Sequence, residues 1–279
     1  MSEAIEQLKA NLPTHPPVDS LKPLEEDYTG LRILAVHAHP DDESSKGAGT
    51  ASAYIARGAR FMVATMTGGE RGDILNEEID KSPRAHRDLP GLRRAEMAAA
   101  REIMGIEHRW IGFFDSGLPE GDPMPPLPFG SFGTMPLDRA AAPLVRLVRE
   151  YRPHIIITYD EIGGYPHPDH IMTHKVAVEA FEKAGNPEAY VGEGEPWTPL
   201  KLYYDRAFNP ERTLALHEHL LDTHGESLLS GWIENLAHRA SSGEAPRHET
   251  TTRILVHDHF EQRDQALRAH ASQVDPNGV

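Results

Sequence analysis

The chain contains no cysteine. Disulfide cross-links and thiolate metal sites are therefore excluded, and any bound metal must be held by His, Asp or Glu. No apolar run approaches the roughly 18 residues needed to span a bilayer. The opening stretch MSEAIEQLKANLPTHPP lacks the basic segment followed by an apolar one that marks a signal peptide. Basic residues are in the minority: Lys and Arg total 28 against 43 Asp and Glu, for a formal charge of −15. Phosphate binding needs a basic surface, so neither nucleic acid nor an anionic membrane is an expected partner. A cytoplasmic setting is the expectation.

What is present is ordinary for a globular protein: 279 residues, 39% hydrophobic and 25% charged. That length suits one sizeable α/β domain or at most two small ones. Residues 1–30 carry Pro13, Pro16, Pro17 and Pro23 among many charges. They are predicted to be a loosely ordered N-terminal arm with one short helix before Pro13. Residues 31–279 are predicted to form a single catalytic domain. Apolar strands are predicted at 32–38 (RILAVHA), 60–67 (RFMVATMT), 108–114 and 154–159 (HIIITY). Helices are predicted at 45–57, 92–104, 138–151 and 169–184, and a long Pro- and Gly-rich loop at 115–136. In the less regular last third, 200–206 and 251–257 are strand candidates and 260–272 a helix. Alternating strands and amphipathic helices imply an α/β fold with a mostly parallel sheet and helices on both faces. Such sheets place ligands at the carboxyl ends of their strands.

The first motif, His39-Pro40-Asp41-Asp42-Glu43, follows the first strand. Pro40 fixes its own φ and has no amide hydrogen, so the strand ends sharply. One aspartate can then ligate metal while its neighbour faces the metal's water; alternatively, both simply cap the next helix. The second motif, His167-Pro168-Asp169-His170, follows the fourth strand after Gly163-Gly164. Two such motifs at corresponding strand ends predict a site of His39, Asp42 and His170, with one position open to water as in catalytic zinc centres. His174, one turn beyond His170, is a competing ligand. Asp41 then serves as general base. His167, if protonated, stabilises the oxyanion and protonates the leaving amine, with Asp169 orienting or charging its imidazole. The predicted chemistry is hydrolysis of an unactivated amide; a metabolite-binding module without turnover is the reading of another class.

These motifs resemble the LmbE-like (PIG-L) superfamily of zinc-dependent N-deacetylases, and within it the amidase group that acts on mycothiol S-conjugates. The stretches that carry the resemblance are AVHAHPDDESSKG (35–47), TGGERGDILN (67–76), GFFDSGLP (112–119), TYDEIGGYPHPDH (158–170), KLYY (201–204) and QRDQALRAHASQVDPN (262–277). The resemblance implies a Rossmann-like fold and Zn2+ as cofactor, with Fe2+ the alternative. It implies a thiol-sugar conjugate as the small-molecule substrate, cleaved to a mercapturic acid and glucosaminyl-inositol, or else deacetylation of an acetylglucosaminyl-inositol. It assigns His39, Asp42 and His170 to the metal, Asp41 to the base, His167 to the acid and oxyanion stabiliser, and Tyr165 to the substrate carbonyl. Lys46 stands where the sister deacetylases tend to have a small polar residue, and a lysine at the pocket lip suits a larger conjugate; the alternative is a solvated helix lysine. Relatives of this group continue past residues 275–279, which implies a shortened chain or a different C-terminal wall.

Weaker assignments complete the reading. Glu70 and Arg71 either bind sugar or inositol hydroxyls or form a plain turn, and Asp115 either touches substrate or holds a metal ligand. Arg93, Arg94 and Glu96 are assigned to a solvated helix face, and Trp110, Phe113 and Phe114 to the core. His257 and His259 reach the pocket only if the fold brings them there.

Overall fold

A computed structural model describes residues 3–11, 21–121, 123–206, 210–242, 248 and 250–274. By internal contact the chain divides into two compact units, residues 24–205 with 255–279, and residues 1–23 with 206–254. In chain order the elements are α1 (Glu3–Asn11), β1 (Arg32–His37), a π-helical turn (Glu43–Gly47), α2 (Ala48–Ile55), β2 (Arg60–Thr67), the short α3 (Glu77–Asp80) and α4 (Pro83–Arg87), and α5 (Leu89–Met104). There follow β3 (Glu107–Phe113), α6 (Leu137–Tyr151), β4 (Ile155–Thr158), α7 (Pro168–Lys183), β5 (Lys201–Tyr204), α8 (Pro210–His224), α9 (Ser230–Ser242) and α10 (Phe260–Ala269).

The larger unit is built on a five-stranded sheet ordered β3-β2-β1-β4-β5. Every pairing is parallel, with Ile33 opposite both Phe61 and Ile155. Side chains alternate across a strand, so β1 feeds two cores. Leu34 and Val36 join the α6 and α7 residues Leu144, Val148 and Val176, while Ile33 and Ala35 join the α2, α5 and α10 residues Ala51, Met97 and Ala266. Burial on both faces explains why these strands read as continuous apolar runs. The order reverses at β1: the chain moves outward to β2 and β3, then returns to β4 on the other side. The crevice beyond the carboxyl ends of β1 and β4 is thus the topological switch point, where open α/β sheets bind ligands.

The smaller unit is helical. α1 packs on α9, and α9 on α8, around Ile5, Leu214 and Ile233. Lys9 pairs with Glu218, and the Ser227 hydroxyl meets His217 Nδ1 at 2.9 Å. The short helix expected before Pro13 is α1, whereas residues 12–20 of the expected arm and 275–279 of the expected C-terminal wall lie outside the described residues. The predicted strand at 251–257 is absent: residues 251–256 make no ladder and His257–His259 is a 3-10 turn. β-rich composition without a neighbouring strand does not make a strand. Among the described residues no helix is long and apolar enough to cross a membrane.

Candidate active site

Both motifs sit at the switch point, and their backbones are unusual. After β1 and Pro40, Asp41 has φ 113°, a region that L-residues rarely occupy and that costs free energy. After Asp42, residues Glu43–Gly47 form the π-helical turn, a feature frequent at functional sites. Arg93 on α5 donates from Nη2 to the Pro40 carbonyl at 2.6 Å and to Asp41 Oδ2 at 2.9 Å. At the second motif, Pro168 is preset for the first turn of α7, and the capping residue is His167, whose Nδ1 accepts the Asp169 N–H at 3.1 Å. A side chain on Gly163 (φ 76°) would come within 2.6 Å of His170 Cβ, so only glycine allows the loop this close.

That loop fixes the first of three convergent donors. His170 Nδ1–H donates to the Gly163 carbonyl at 2.9 Å, which leaves the lone pair on Nε2. His39 Nε2 lies 3.3 Å from Asp169 Oδ2, so His39 presents Nδ1 on the opposite side of its ring. His170 Nε2 is 3.3 Å from His39 Nδ1 and 3.6 Å from Asp42 Oδ2, and His39 Nδ1 is 3.8 Å from that oxygen. Ligand atoms about 2.0–2.1 Å from a tetrahedral zinc are about 3.4 Å apart, so this two-imidazole, one-carboxylate triangle fits a metal ion. Two lone pairs turned toward a carboxylate oxygen also call for a cation. Burial opposes charge on His39, but the Asp115 and Asp169 carboxylates facing Nε2 and the charge of Asp42 override that and push its pKa up to about 10, so a cation, proton or metal, is favoured at Nδ1 beside Asp42. Burial likewise opposes ionisation of Asp42, but Lys46, His170 and His39 hold its carboxyl well below the usual range. Tyr159 donates to Asp42 Oδ2 at 2.6 Å and stacks on His170 with ring centroids 4.3 Å apart.

Among the described residues, two other groupings have donor atoms close enough for an ion, His39 with His167 and His170, and His39 with Asp115 and Asp169. Each is weaker on hydrogen bonding. His167 Nδ1 is already an acceptor, so its neutral ring carries the proton on Nε2, where a ligand needs a lone pair. Asp115 and Asp169 face His39 from the far side of its ring. Their oxygens are occupied: those of Asp115 by the N–H groups of Arg71 and Gly117, those of Asp169 by the N–H and hydroxyl of Ser116. Their placement is that of carboxylates which support a metal-bound imidazole elsewhere, the usual carboxylate–histidine arrangement.

The triangle opens into a cleft of about 400 Å³, lined also by Asp41, Arg71, Leu118, Tyr165, His167 and Gln273. Burial raises the pKa of Asp41 to about 6 against the pull of Arg93. A carboxylate of that proton affinity is suited to act as a base near neutral pH.

Residues 34–181, more than half of the chain, match the PIG-L family, described as GlcNAc-PI de-N-acetylase. The chain belongs to the PIG-L family. It is similar to mycothiol S-conjugate amidase from Streptomyces coelicolor, at 51% identity over 250 residues, 89% of this chain and 84% of that protein. It is also similar to 1D-myo-inositol 2-acetamido-2-deoxy-alpha-D-glucopyranoside deacetylase from Thermobispora bispora, at 38% identity over 253 residues, 87% of this chain and 79% of that protein. Its fold is like that of N,N'-diacetylchitobiose deacetylase from Pyrococcus horikoshii, with a TM-score of 0.60 at 16% identity, covering 88% of this chain and 72% of that one. A PIG-L chain with these relatives is an amidohydrolase, and the non-catalytic binding module is set aside.

Several residues of this PIG-L chain lie elsewhere than the sequence suggested. Lys46 lines the cleft, but its side chain is only 9% exposed, and its ammonium sits on Asp42 Oδ1, one helical turn back. The Asp169 carboxylate serves His39, because its own N–H, capping on His167, turns the side chain the other way. Burial, with His39 and His170 nearby, lowers the His167 pKa to about 4, so this imidazole is a neutral donor. Glu70 is a staple between loops, accepting the N–H groups of Gly68 at 3.2 Å and Asp115 at 3.0 Å. Arg71 does line the cleft, its guanidinium 5.3 Å over the Phe114 ring, and Phe114 is 48% exposed where a core position was expected. His174 bonds the Tyr159 carbonyl at 3.0 Å, and neither the exposed His257 nor the half-buried His259 lines the cleft.

Arg93 and Glu96 are the clearest miss, being 3% and 6% exposed. The signal was available, since Arg93, Glu96, Met97, Ala100 and Met104 form one buried stripe of α5 at helical spacing. A charged residue on such a stripe needs a buried partner, and Arg93 has Asp41.

Proposed function

We propose that this chain hydrolyses the amide of mycothiol S-conjugates, releasing a mercapturic acid and glucosaminyl-inositol, with zinc held by His39, Asp42 and His170. The observation that carries the reading is the convergence of His39 Nδ1, His170 Nε2 and Asp42 Oδ2 beside Asp41, at the foot of a cleft. The 51% identity to a mycothiol S-conjugate amidase, against 38% to the deacetylase from Thermobispora bispora, supports the conjugate as substrate.

Zinc, when bound, lowers the pKa of its water to roughly 7 and polarises the carbonyl. Asp41 accepts the proton of the attacking water, aimed by Arg93 and by its strained backbone. His167, neutral and with Nε2–H to donate, hydrogen-bonds the developing oxyanion, and Tyr165 lines the same cleft. The carbon–nitrogen bond then breaks, and the proton held by Asp41 passes to the leaving amine. Water's hydroxyl ends on the released acid and its proton on the amine. Lys46, beside Asp42 in the cleft, stands where polar groups of a bulky conjugate arrive.

The test is hydrolysis of a fluorescent mycothiol S-conjugate and of the acetylglucosaminyl-inositol, each with chelator and after zinc is restored. Metal-dependent release of mercapturic acid, faster than deacetylation, is expected. Faster deacetylation moves the assignment to the sister activity, and turnover that survives chelation overturns the metal site.

A further inference from the structure

The left-handed backbone of Asp41 needs something to hold it, because an L-residue relaxes out of that region unless its surroundings over-determine it. Arg93 grips the side chain and the preceding carbonyl. The Asp41 N–H is gripped by Glu43, whose Oε2 accepts it at 2.9 Å. Glu43 is 1% exposed, and its other oxygen, Oε1, takes the Ser44 hydroxyl at 2.6 Å and His270 Nε2 at 2.6 Å. His270, fully buried, lies 227 residues further along the chain, just past α10.

The segment carrying His270 is itself clamped. Asn76 Nδ2 donates to the Ala271 carbonyl and Leu75 N–H to the Ser272 carbonyl, both at 2.9 Å. Ser272 N–H and hydroxyl both donate to Glu96 at 2.7 Å, and Glu96 lies one turn beyond Arg93 on the same buried face. The Glu43 grip on Asp41 therefore traces back to His270, and the helix that carries Arg93 is tied to the same segment through Glu96 and Ser272. Glu43 does not line the cleft, so it does not touch substrate. We infer that Glu43 and His270 are positioning residues: His270 anchors the Glu43 carboxylate, which holds the Asp41 amide and so aims the Asp41 side chain at the attacking water. The inference rests on Asp41 being the base.

The test uses the full chain loaded with zinc and compares Glu43→Met, His270→Leu, His270→Gln and Asp41→Asn. Glu43→Met removes the acceptor while keeping volume, and His270→Gln offers an amide nitrogen where Nε2 lies. Misaiming a reacting group costs on the order of 10- to 100-fold in rate, so kcat is expected to fall by that factor in Glu43→Met and His270→Leu. KM should stay within about twofold, because substrate binding is untouched. Metal should stay at one per chain, and His270→Gln should recover most of kcat. Unchanged kcat, a change confined to KM, failure of His270→Gln to recover, or loss only in step with lost folded, metal-loaded protein each overturns the inference. If Asp41→Asn is inactive while Glu43→Met is unimpaired, the positioning alone is wrong. If Asp41→Asn turns over, the assignment of the base falls with it.

Discussion

Asp169 braces His39 from behind, with its Oδ2 3.3 Å from His39 Nε2 on the face of the ring opposite His170. Its other oxygen takes the Ser116 hydroxyl, so the carboxylate cannot swing away. Such a partner fixes the tautomer and raises the basicity of a ligating imidazole. Asp169→Asn should therefore weaken metal affinity by about 10- to 100-fold with the fold intact, measured by competition with a chromophoric chelator. Unchanged affinity would show that His39 does not use Asp169 to hold metal.

Arg93 performs two tasks at Asp41, fixing the backbone through the Pro40 carbonyl and lowering the proton affinity of the carboxylate. Arg93→Met removes both. Without the guanidinium the Asp41 pKa rises further, so the acid limb of the pH dependence of kcat/KM should move to higher pH. At neutral pH kcat should fall on the order of 100-fold, since the base is both misaimed and more often protonated. A limb that stays in place with only a lower plateau would mean that Arg93 acts by geometry alone.

The sheet was legible because strands buried on both faces print themselves as apolar runs: residues 60–67 were predicted as a strand and β2 spans Arg60–Thr67. The two motifs were legible because His39 and His170 each follow such a run. Less could be read where a side chain's partner is distant in sequence. Arg93 meets Asp41 across 52 residues, and Tyr159 meets Asp42 across 117. Nothing local to α5 says that its buried stripe ends beneath the first motif. Lys46 shows the opposite case. Its spacing from Asp42 is plain in the sequence, but the sequence alone does not say that its ammonium rests on that carboxylate while the residue lines the cleft.

Tyr159 joins the two motifs: its ring stacks on His170, while its hydroxyl donates to Asp42 Oδ2 at 2.6 Å and accepts the Ala38 N–H at 2.8 Å. Tyr159→Phe keeps the ring stacked on His170 but strands a buried N–H and strips the carboxylate of a donor. Leaving a buried group unpaired costs about 1–3 kcal/mol, which urea unfolding of chelator-treated protein should register. Stability equal to that of the parent would mean that another group takes over the Ala38 N–H.

The buried pair of Glu43 and His270 sets a pH window for stability. Burial disfavours the Glu43 carboxylate, but the hydrogen bond and charge of His270 prevail and hold its pKa at about 2, below the ordinary 4.5. Its stabilisation is thus complete above about pH 4.5 and is lost as pH falls toward 2. Burial likewise disfavours the His270 cation, yet the Glu43 hydrogen bond raises its pKa above the ordinary 6.5. Its stabilisation is complete below about pH 6.5 and fades as pH rises through the raised value. Both contributions are therefore at full strength together between about pH 4.5 and 6.5. The stability gap between the parent and Glu43→Gln, both metal-free, should be widest in that interval and narrow on either side. Urea titrations at several pH values measure it, and a gap that does not vary with pH would mean that the pair is neutral in the folded protein.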